Sequence, residues 1–217
     1  MASPLTLALD VSGTGGGVAL SGPDGVLVRA LAPDIRRGRD LVPLIQALLQ
    51  EASLAPADLD LVACGIGPGS FTGIRIGVAT AAAFAFAAGL PALGVGSLHG
   101  RAAHAPKDAE AVLVVLNARR GQLFAGLFPA GGEPEPYRLA TPDELVRGLP
   151  AATVVLGEGR DLFPEHFERF PGTADAPPRP DAIARIAAQR FEAGERGEPA
   201  QLHPLYMRAS EPELRRR

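Results

Sequence analysis

The sequence predicts an α/β protein with two lobes. Two observations support this fold class: strand-like and helix-like segments alternate along the chain, and each half opens with a pair of strands. The 217 residues, of which 47% are hydrophobic and 21% charged, are enough to bury a proper core. We predict a first lobe over residues 1–105 and a second over residues 106–203, and leave open whether residues 204–217 join the first lobe.

Three strands and a helix are predicted for the first part of the chain. Apolar runs at Leu5–Val11, Gly17–Leu20 and Val26–Leu31 are separated by glycine-rich turns, a pattern typical of a three-stranded meander. Asp40 can cap the helix that follows, because apolar residues then recur at 3–4 spacing at Leu41, Leu44, Ile45, Leu48 and Leu49.

A buried strand, a glycine-rich loop and a long helix come next. Leu61–Ile66 predicts the strand, and Gly67-Pro68-Gly69-Ser70-Phe71-Thr72-Gly73 leads from it into a helix over Ile74–Ala88. The second half predicts strands over Ala111–Leu116, Leu123–Phe128 and Thr153–Leu156, and helices over Asp143–Arg147, capped by Thr141, and over Ala182–Glu192, opened by Asp181.

Composition excludes several classes of protein. A formal charge of −3 argues against broad nucleic-acid binding, and a single cysteine, Cys64, rules out an intramolecular disulfide and favours a cytoplasmic, reducing compartment. The charge-free stretch Ile76–Gly100 is long enough to span a membrane, but it is rich in alanine and glycine and is interrupted at Gly89–Pro91. We predict instead a soluble helix buried on nearly every side, followed by a short strand, and no membrane association.

The glycine-rich loop is a candidate phosphate site. It lacks the Gly-Lys-Ser/Thr of a P-loop, no serine lies in Gly-x-Ser-x-Gly, and the histidine spacing predicts no metal site. The start of the helix after the loop could receive a phosphate on its N–H groups, and an aspartate at the end of the first strand could assist. Alternatively, the glycines only permit a sharp turn and Ser70 caps the helix, and the aspartate only caps its own turn. The candidate residues for a nucleotide or phosphate are Asp10, Ser12, Gly67, Gly69, Ser70 and Thr72.

The chain resembles the bacterial TsaB (YeaZ) family. The resemblance rests on the thirteen residues from Gly67 to Ala79, which read GPGSFTGIRIGVA, and it extends to Leu7–Ser12 and Asn117–Phe124. Further similar segments are Gly157-Glu158-Gly159, 180–188 and 204–208. The resemblance implies an ASKHA-type (actin-like ATPase and sugar kinase) fold with two mixed sheets flanked by helices and a reduced second lobe.

It also implies a non-catalytic role in making threonylcarbamoyladenosine in tRNA. The chain would pair with a TsaD-like transferase subunit, a TsaE-like ATPase would join the pair, and tRNA would be engaged only through the complex. The family pairs through the helices before and after the glycine-rich loop. The candidate interface residues are therefore Leu41, Leu44, Leu48, Arg75, Val78, Ala79, Ala82, Ala83 and Phe86.

Departures from the family pattern count against catalysis. Asn117 and Gln122 stand where relatives carry acidic residues, and Gly38-Arg39 stands where relatives carry histidine. We expect no intrinsic cofactor, consider ATP or ADP only at an interface of the complex, and leave open a homodimer of the chain alone. The competing hypotheses are an actin-like nucleotide-binding phosphotransferase and a peptidase acting on a partner protein. The basic run at Arg36, Arg37 and Arg39, with Arg215–Arg217, is expected to be solvated surface charge.

Overall fold

The first lobe is built on a five-stranded mixed sheet. A computed structural model describes residues 3–31, 37–132 and 134–207. The strands are β1 (Thr6–Asp10), β2 (Gly17–Gly22), β3 (Gly25–Ala30), β4 (Leu61–Gly65) and β5 (Ala92–Val95). In the order β3-β2-β1-β4-β5, the first three are antiparallel neighbours, whereas β4 runs parallel to β1 and β5 parallel to β4. The predicted meander and buried strand are thus present.

Two long helices cover one face of this sheet. They are α1 (Arg37–Glu51) and α2 (Phe71–Ala88), and a short helix, α3 (Ser97–Ala102), follows β5. The apolar 3–4 spacing of α1 and the small residues of α2 let both helices pack closely on the sheet, where Leu48 and Ala81 are fully buried. The sequence predicted both long helices, but α2 begins three residues before its predicted start, and α1 begins at Arg37, so Asp40 lies in the first turn of α1 and is not its cap as predicted.

A second mixed sheet forms the other lobe. Its strands are β6 (Ala111–Asn117), β7 (Leu123–Pro129), β8 (Arg138–Ala140), β9 (Val154–Leu156) and β10 (Gly172–Thr173), in the order β10-β9-β6-β7-β8. Three short helices accompany it, namely α4 (Pro142–Val146), α5 (Gly159–Leu162) and α6 (Pro164–Phe167). Thr141 immediately precedes α4 as predicted, and its N–H donates to Glu144 Oε2 at 2.7 Å, but the Thr141 side chain makes no capping hydrogen bond to the helix.

The last long helix, α7 (Pro180–Glu192), returns to the first lobe. Ile183 and Ala187 pack on Ala8 and Ala63, which point to the face of the first sheet opposite α1 and α2. The predicted second lobe over 106–203 includes this helix, but its apolar side belongs to the core of the first lobe. The spacing of apolar residues along α7 identifies its apolar side but does not indicate which of the two sheets that side covers. After α7 the chain stays at the first lobe, where Leu205 N–H donates to Ile66 O at 2.8 Å.

α2 is only partly covered, contrary to the prediction that it is buried on nearly every side. Its buried residues are Gly73, Ile74, Gly77, Val78, Ala81 and Ala85. The opposite side faces solvent, and Phe86 is 80% exposed. Within the described ranges, α2 is the one helix long and apolar enough to cross a membrane by length and composition, and a soluble core helix passes the same test. One side of α2 packs on the sheet, and none of the described residues covers the other.

Candidate functional site

A cleft of about 920 Å³ lies between the two lobes. Its walls come from the loop after β1, the glycine-rich loop with the start of α2, the turn between β6 and β7, and the last described residues of the chain. Of the six residues predicted for a nucleotide or phosphate, four line the cleft, namely Ser12, Gly69, Ser70 and Thr72, whereas Asp10 and Gly67 do not.

The glycine-rich loop is held against the loop after β1. Ser70 N–H donates to Ser12 O at 2.6 Å, and Gly67 N–H donates to Ser97 Oγ at 3.1 Å. Any side chain at position 69 would collide with Ser12 O, and the φ angle of 154° at Gly69 is strained for other residues. The Ser70 hydroxyl accepts from Gly73 N–H at 3.3 Å, which confirms the predicted cap of α2. The glycines therefore serve the turn and bring the start of α2 to the cleft.

Asp10 lies behind the cleft wall, fully buried at the end of β1. Its Oδ1 accepts from Ser12 N–H at 3.0 Å and from Ser97 Oγ at 3.3 Å, whereas Oδ2 has no hydrogen-bond partner within the described part of the chain. Burial raises the pKa of this carboxyl, and the positive charge of Arg101 only partly offsets that effect. Asp10 therefore caps its own turn and does not line the cleft. This position fits the alternative prediction, in which the aspartate only caps a turn, better than a role in contacting phosphate.

Arg101 is a cleft residue that the sequence did not reveal. Its side chain is 4% exposed and lines the cleft, and one of its terminal nitrogens, Nη1, donates to Ala176 O. Its Nε has no hydrogen-bond partner among the residues that the structure describes. Because a single arginine in a short helix carries no pattern, only the tertiary structure identifies it as a buried charge facing the cleft.

The second lobe contributes a turn with two arginines and a carboxylate. Asn117 Oδ1 accepts from Arg119 N–H at 2.8 Å, so this amide holds its own turn. Arg119 and Arg120 have positive φ angles of 66° and 54°, and both line the cleft. Glu158 also lines the cleft, and its Oε1 accepts from Asn117 N–H at 3.3 Å. Position 117 carries no aspartate, but Glu158 places a carboxylate on this side of the cleft, and this residue was not among those predicted from the sequence.

The candidate interface residues divide into three groups by burial. Leu41, Leu48 and Val78 are at most 5% exposed and pack in the core of the first lobe, so they are not available to a partner, and their assignment to an interface is corrected. Leu44 and Ala82 are partly buried against the same core. The remaining candidates face solvent and follow one side of α2; together with Thr72 we call them the α2 stripe, which comprises Thr72, Arg75, Ala79, Ala83 and Phe86.

An aromatic cluster lies where the α2 stripe meets the cleft. Arg75 stacks over the Phe71 ring at 3.9 Å from its centroid, and its Nε donates to Tyr206 Oη at 2.7 Å. The Phe71 and Tyr206 rings lie 5.2 Å apart. This cluster ties the C-terminal part of the described chain to the start of α2, across the mouth of the cleft.

No group of three or more histidine, cysteine or acidic side chains in the described ranges could hold a metal ion. Most of the predicted basic run lies outside the described residues, namely Arg36, Arg215–Arg217 and the side chain of Arg37. Arg39 is described, and it is exposed.

Comparison with known proteins agrees with this architecture. The family model described as "TsaD: tRNA N6-adenosine threonylcarbamoyltransferase" matches residues 37–134. An uncharacterized protein of Mycobacterium tuberculosis is 36% identical over 170 residues, which are 77% of this chain and 73% of that protein. The tRNA threonylcarbamoyladenosine biosynthesis protein TsaB of Bacillus subtilis is 28% identical over 225 aligned positions, 96% of each chain. The solved structure of YeaZ from Pseudomonas aeruginosa is 27% identical, with a TM-score of 0.82 over 93% of this chain and all of that one.

Two lobes, each with a mixed sheet and with a loop-lined cleft between them, define an ASKHA-type protein. Within this class, similarity along most of the chain is to proteins named TsaB and YeaZ. The chain belongs to the TsaB/YeaZ family. The resemblance and the fold predicted from the sequence are thereby confirmed.

Proposed function

We propose that this chain is a non-catalytic subunit in the biosynthesis of threonylcarbamoyladenosine in tRNA, and that it pairs with a TsaD-type transferase. Its relatives in Bacillus subtilis and Escherichia coli are named for this biosynthesis. The match to the TsaD family model, over residues 37–134, supports a partner built on the same fold. We propose further that a TsaE-type ATPase joins the pair, and that the complex works in the cytoplasm.

The observation that carries this proposal is the exposed α2 stripe. From Ile76 to Ala88 the helix has no charged residue, although one of its sides faces solvent. Phe86 is 80% exposed at the end of this side, and Val42 on the neighbouring helix α1 is 49% exposed. Because α1 and α2 cover the same face of the sheet, their outer sides form one surface. An extended apolar surface of this kind is typical of an interaction site.

The small side chains of the stripe favour contact with another helix. Ala79 and Ala83 lie one turn apart on the exposed side, where they allow a partner backbone to approach closely. Phe86, which is large and nearly free of contacts within the chain, would then fill a recess on the partner. A helical partner surface of matching shape is therefore the occupant that this side fits best.

The arrangement of the cleft supports a subunit without catalytic activity of its own. The carboxyl of Asp10 is buried behind the cleft wall and Asn117 holds its own turn, so neither is placed to transfer a proton in the cleft. The formal charge of −3 supports the view that tRNA is bound through the complex. ATP or ADP would then be bound by the assembled complex at a subunit interface.

The test is a substitution in the middle of the α2 stripe. Ala83→Arg places a long charged side chain where close contact is proposed, and such overpacking costs about 1–3 kcal/mol, with more for a buried unpaired charge. We expect the variant to remain folded, because position 83 is exposed, and to lose co-elution with the TsaD-type subunit of the same organism in size-exclusion chromatography.

Ala151→Arg is the matched control, since Ala151 is also exposed but lies in a turn of the second lobe. It should co-elute like the wild type. Normal pairing of a folded Ala83→Arg protein would contradict the proposed interface. Light scattering of the isolated chain, with and without Ala83→Arg, would also decide whether a homodimer forms through the same stripe.

A further inference from the structure

The short helix α3 lies between the two lobes and packs against both of them. All six of its residues are buried or partly buried. On one side the fully buried Leu98 belongs to an apolar core of the second lobe, together with Val114 of β6 and Phe128 of β7. On the other side Gly100 lies so close to α7 that a Cβ atom there would come within 2.9 Å of Ile183 Cδ1. Since Ile183 belongs to the core of the first lobe, α3 is shared by the two cores.

The N-terminal end of α3 is bonded to both lobes. Tyr137 lies in the second lobe, and its Oη accepts a hydrogen bond from His99 N–H at 3.1 Å. Gly96 permits this close approach, because any side chain at position 96 would collide with the Tyr137 ring. Ser97 is bonded to the first lobe, since its N–H donates to Gly67 O at 2.8 Å and its hydroxyl accepts from Gly67 N–H at 3.1 Å. Each lobe therefore holds the first turn of this helix.

The C-terminal end of α3 joins the two segments that connect the lobes. One segment leads from α3 to β6, and the other leads from β10 to α7. The buried Arg101 side chain donates from Nη1 to Ala176 O in the second segment. In the first segment His104 Nε2 donates to Pro177 O at 3.0 Å. These bonds hold the two connections side by side at the boundary between the lobes.

Rotation of one lobe against the other would break contacts on one side of α3. Lobes and domains that rotate easily are joined by a few hinge residues or meet at small, polar interfaces. A helix of six residues moves as one body, so it can follow only one lobe and would lose its contacts with the other. Closely packed buried side chains also have few alternative arrangements. The contacts of α3 therefore oppose a change in the angle between the lobes.

We propose that α3 is a clamp that holds the two lobes at one angle in the isolated chain, and that the Arg101 guanidinium and the Tyr137 hydroxyl fix it in place. The clamp is separate from the α2 stripe and does not depend on the pairing function proposed above. Its consequence is that the inter-lobe cleft keeps one width, and that the chain enters an assembly as a rigid body.

The test measures the distance between the lobes by double electron–electron resonance on the full-length chain. Nitroxide labels are attached at Gln189→Cys on α7 and at Ala151→Cys in the second lobe, because both positions are exposed. The native Cys64 is buried, so it should not react with the label. The labelled protein is diluted with unlabelled chain, so that a homodimer would add no further distance. With the clamp intact we expect a single narrow distribution of distances.

Two variants remove the side chains that fix the clamp. Arg101→Met and Tyr137→Phe should each broaden the distribution or add a second distance. Arg101→Met should have the larger effect, because Tyr137→Phe removes only a hydroxyl and keeps the ring. Arg160→Met is the matched control, since Arg160 also donates to backbone carbonyls, among them Phe170 O at 2.9 Å, but all of these lie within the second lobe. It should leave the distribution unchanged.

Circular dichroism identifies any variant that fails to fold, and the remaining variant then decides together with the unsubstituted clamp. A broad or two-component distribution with the clamp intact would overturn the proposal. An unchanged distribution in either folded variant would also overturn it, and so would equal broadening in Arg160→Met.

Discussion

Phe86 offers the sharpest measurement of what the exposed side of α2 contributes to pairing. A buried phenylalanine covers about 150–250 Å² of surface, and this side chain is 80% exposed, so most of that area remains for a partner to cover. At about 25 cal/mol per Å², full coverage would stabilise the pair by at most about 3–5 kcal/mol. Part of this is lost to ordering of the side chains on association. We therefore expect Phe86→Ala to weaken pairing with a TsaD-type subunit by about 2–3 kcal/mol, or roughly 30- to 140-fold in Kd.

Surface plasmon resonance with an immobilised TsaD-type subunit would measure this change. The free energy of unfolding of the isolated chain should change by less than about 0.5 kcal/mol, because surface substitutions of this kind are nearly neutral. Leu162→Ala is the control, since Leu162 is 47% exposed in the second lobe and should leave the Kd unchanged. A wild-type Kd for Phe86→Ala would refute the reasoning, and so would equal losses for both variants.

Three further predictions concern stability and activity. Leu48→Glu should unfold the chain rather than separate it from a partner, because Leu48 is fully buried; a cooperative thermal transition near that of the wild type would contradict its place in the core. Asp10→Asn should stabilise the chain increasingly as the pH rises above about 4, since burial raises the folded-state pKa of Asp10 and the wild type loses stability as it deprotonates; an advantage that shrinks with rising pH in denaturant titrations would contradict this sign. The isolated chain should not turn over ATP, because Asp10 lies outside the cleft; steady phosphate release that disappears in Asp10→Ala would oppose it.

Local sequence patterns predicted the long helices and strands correctly. The helical spacing in α1 and the strand–loop–helix pattern around Ser70 were sufficient, because caps and periodicity act over a few residues. The strands β8 and β10, with three and two residues, are too short to carry a period, and they were missed. The same is true of α3, α5 and α6, which have between four and six residues.

The site was predicted less completely because its properties arise from the tertiary structure. Arg101 and Glu158 are ordinary residues in the sequence, and only the packing of distant segments turns them into a buried cation and a cleft carboxylate. Leu48 illustrates the opposite error. Its apolar spacing identifies a side of α1 that needs cover but not whether the cover comes from the same chain. The exposed positions of α2 became distinguishable from its buried ones only with the sheet in place.

The central claim is that tRNA modification depends on this chain through its pairing with the transferase. The direct measurement is the amount of threonylcarbamoyladenosine formed in tRNA, by mass spectrometry, in a system reconstituted from TsaD- and TsaE-type subunits, the threonylcarbamoyl adenylate and tRNA. We expect the modified nucleoside to form when the wild-type chain is present. We expect none to form when the chain is omitted or replaced by the Ala83→Arg variant. Equal modification in the absence of the chain would contradict the claim.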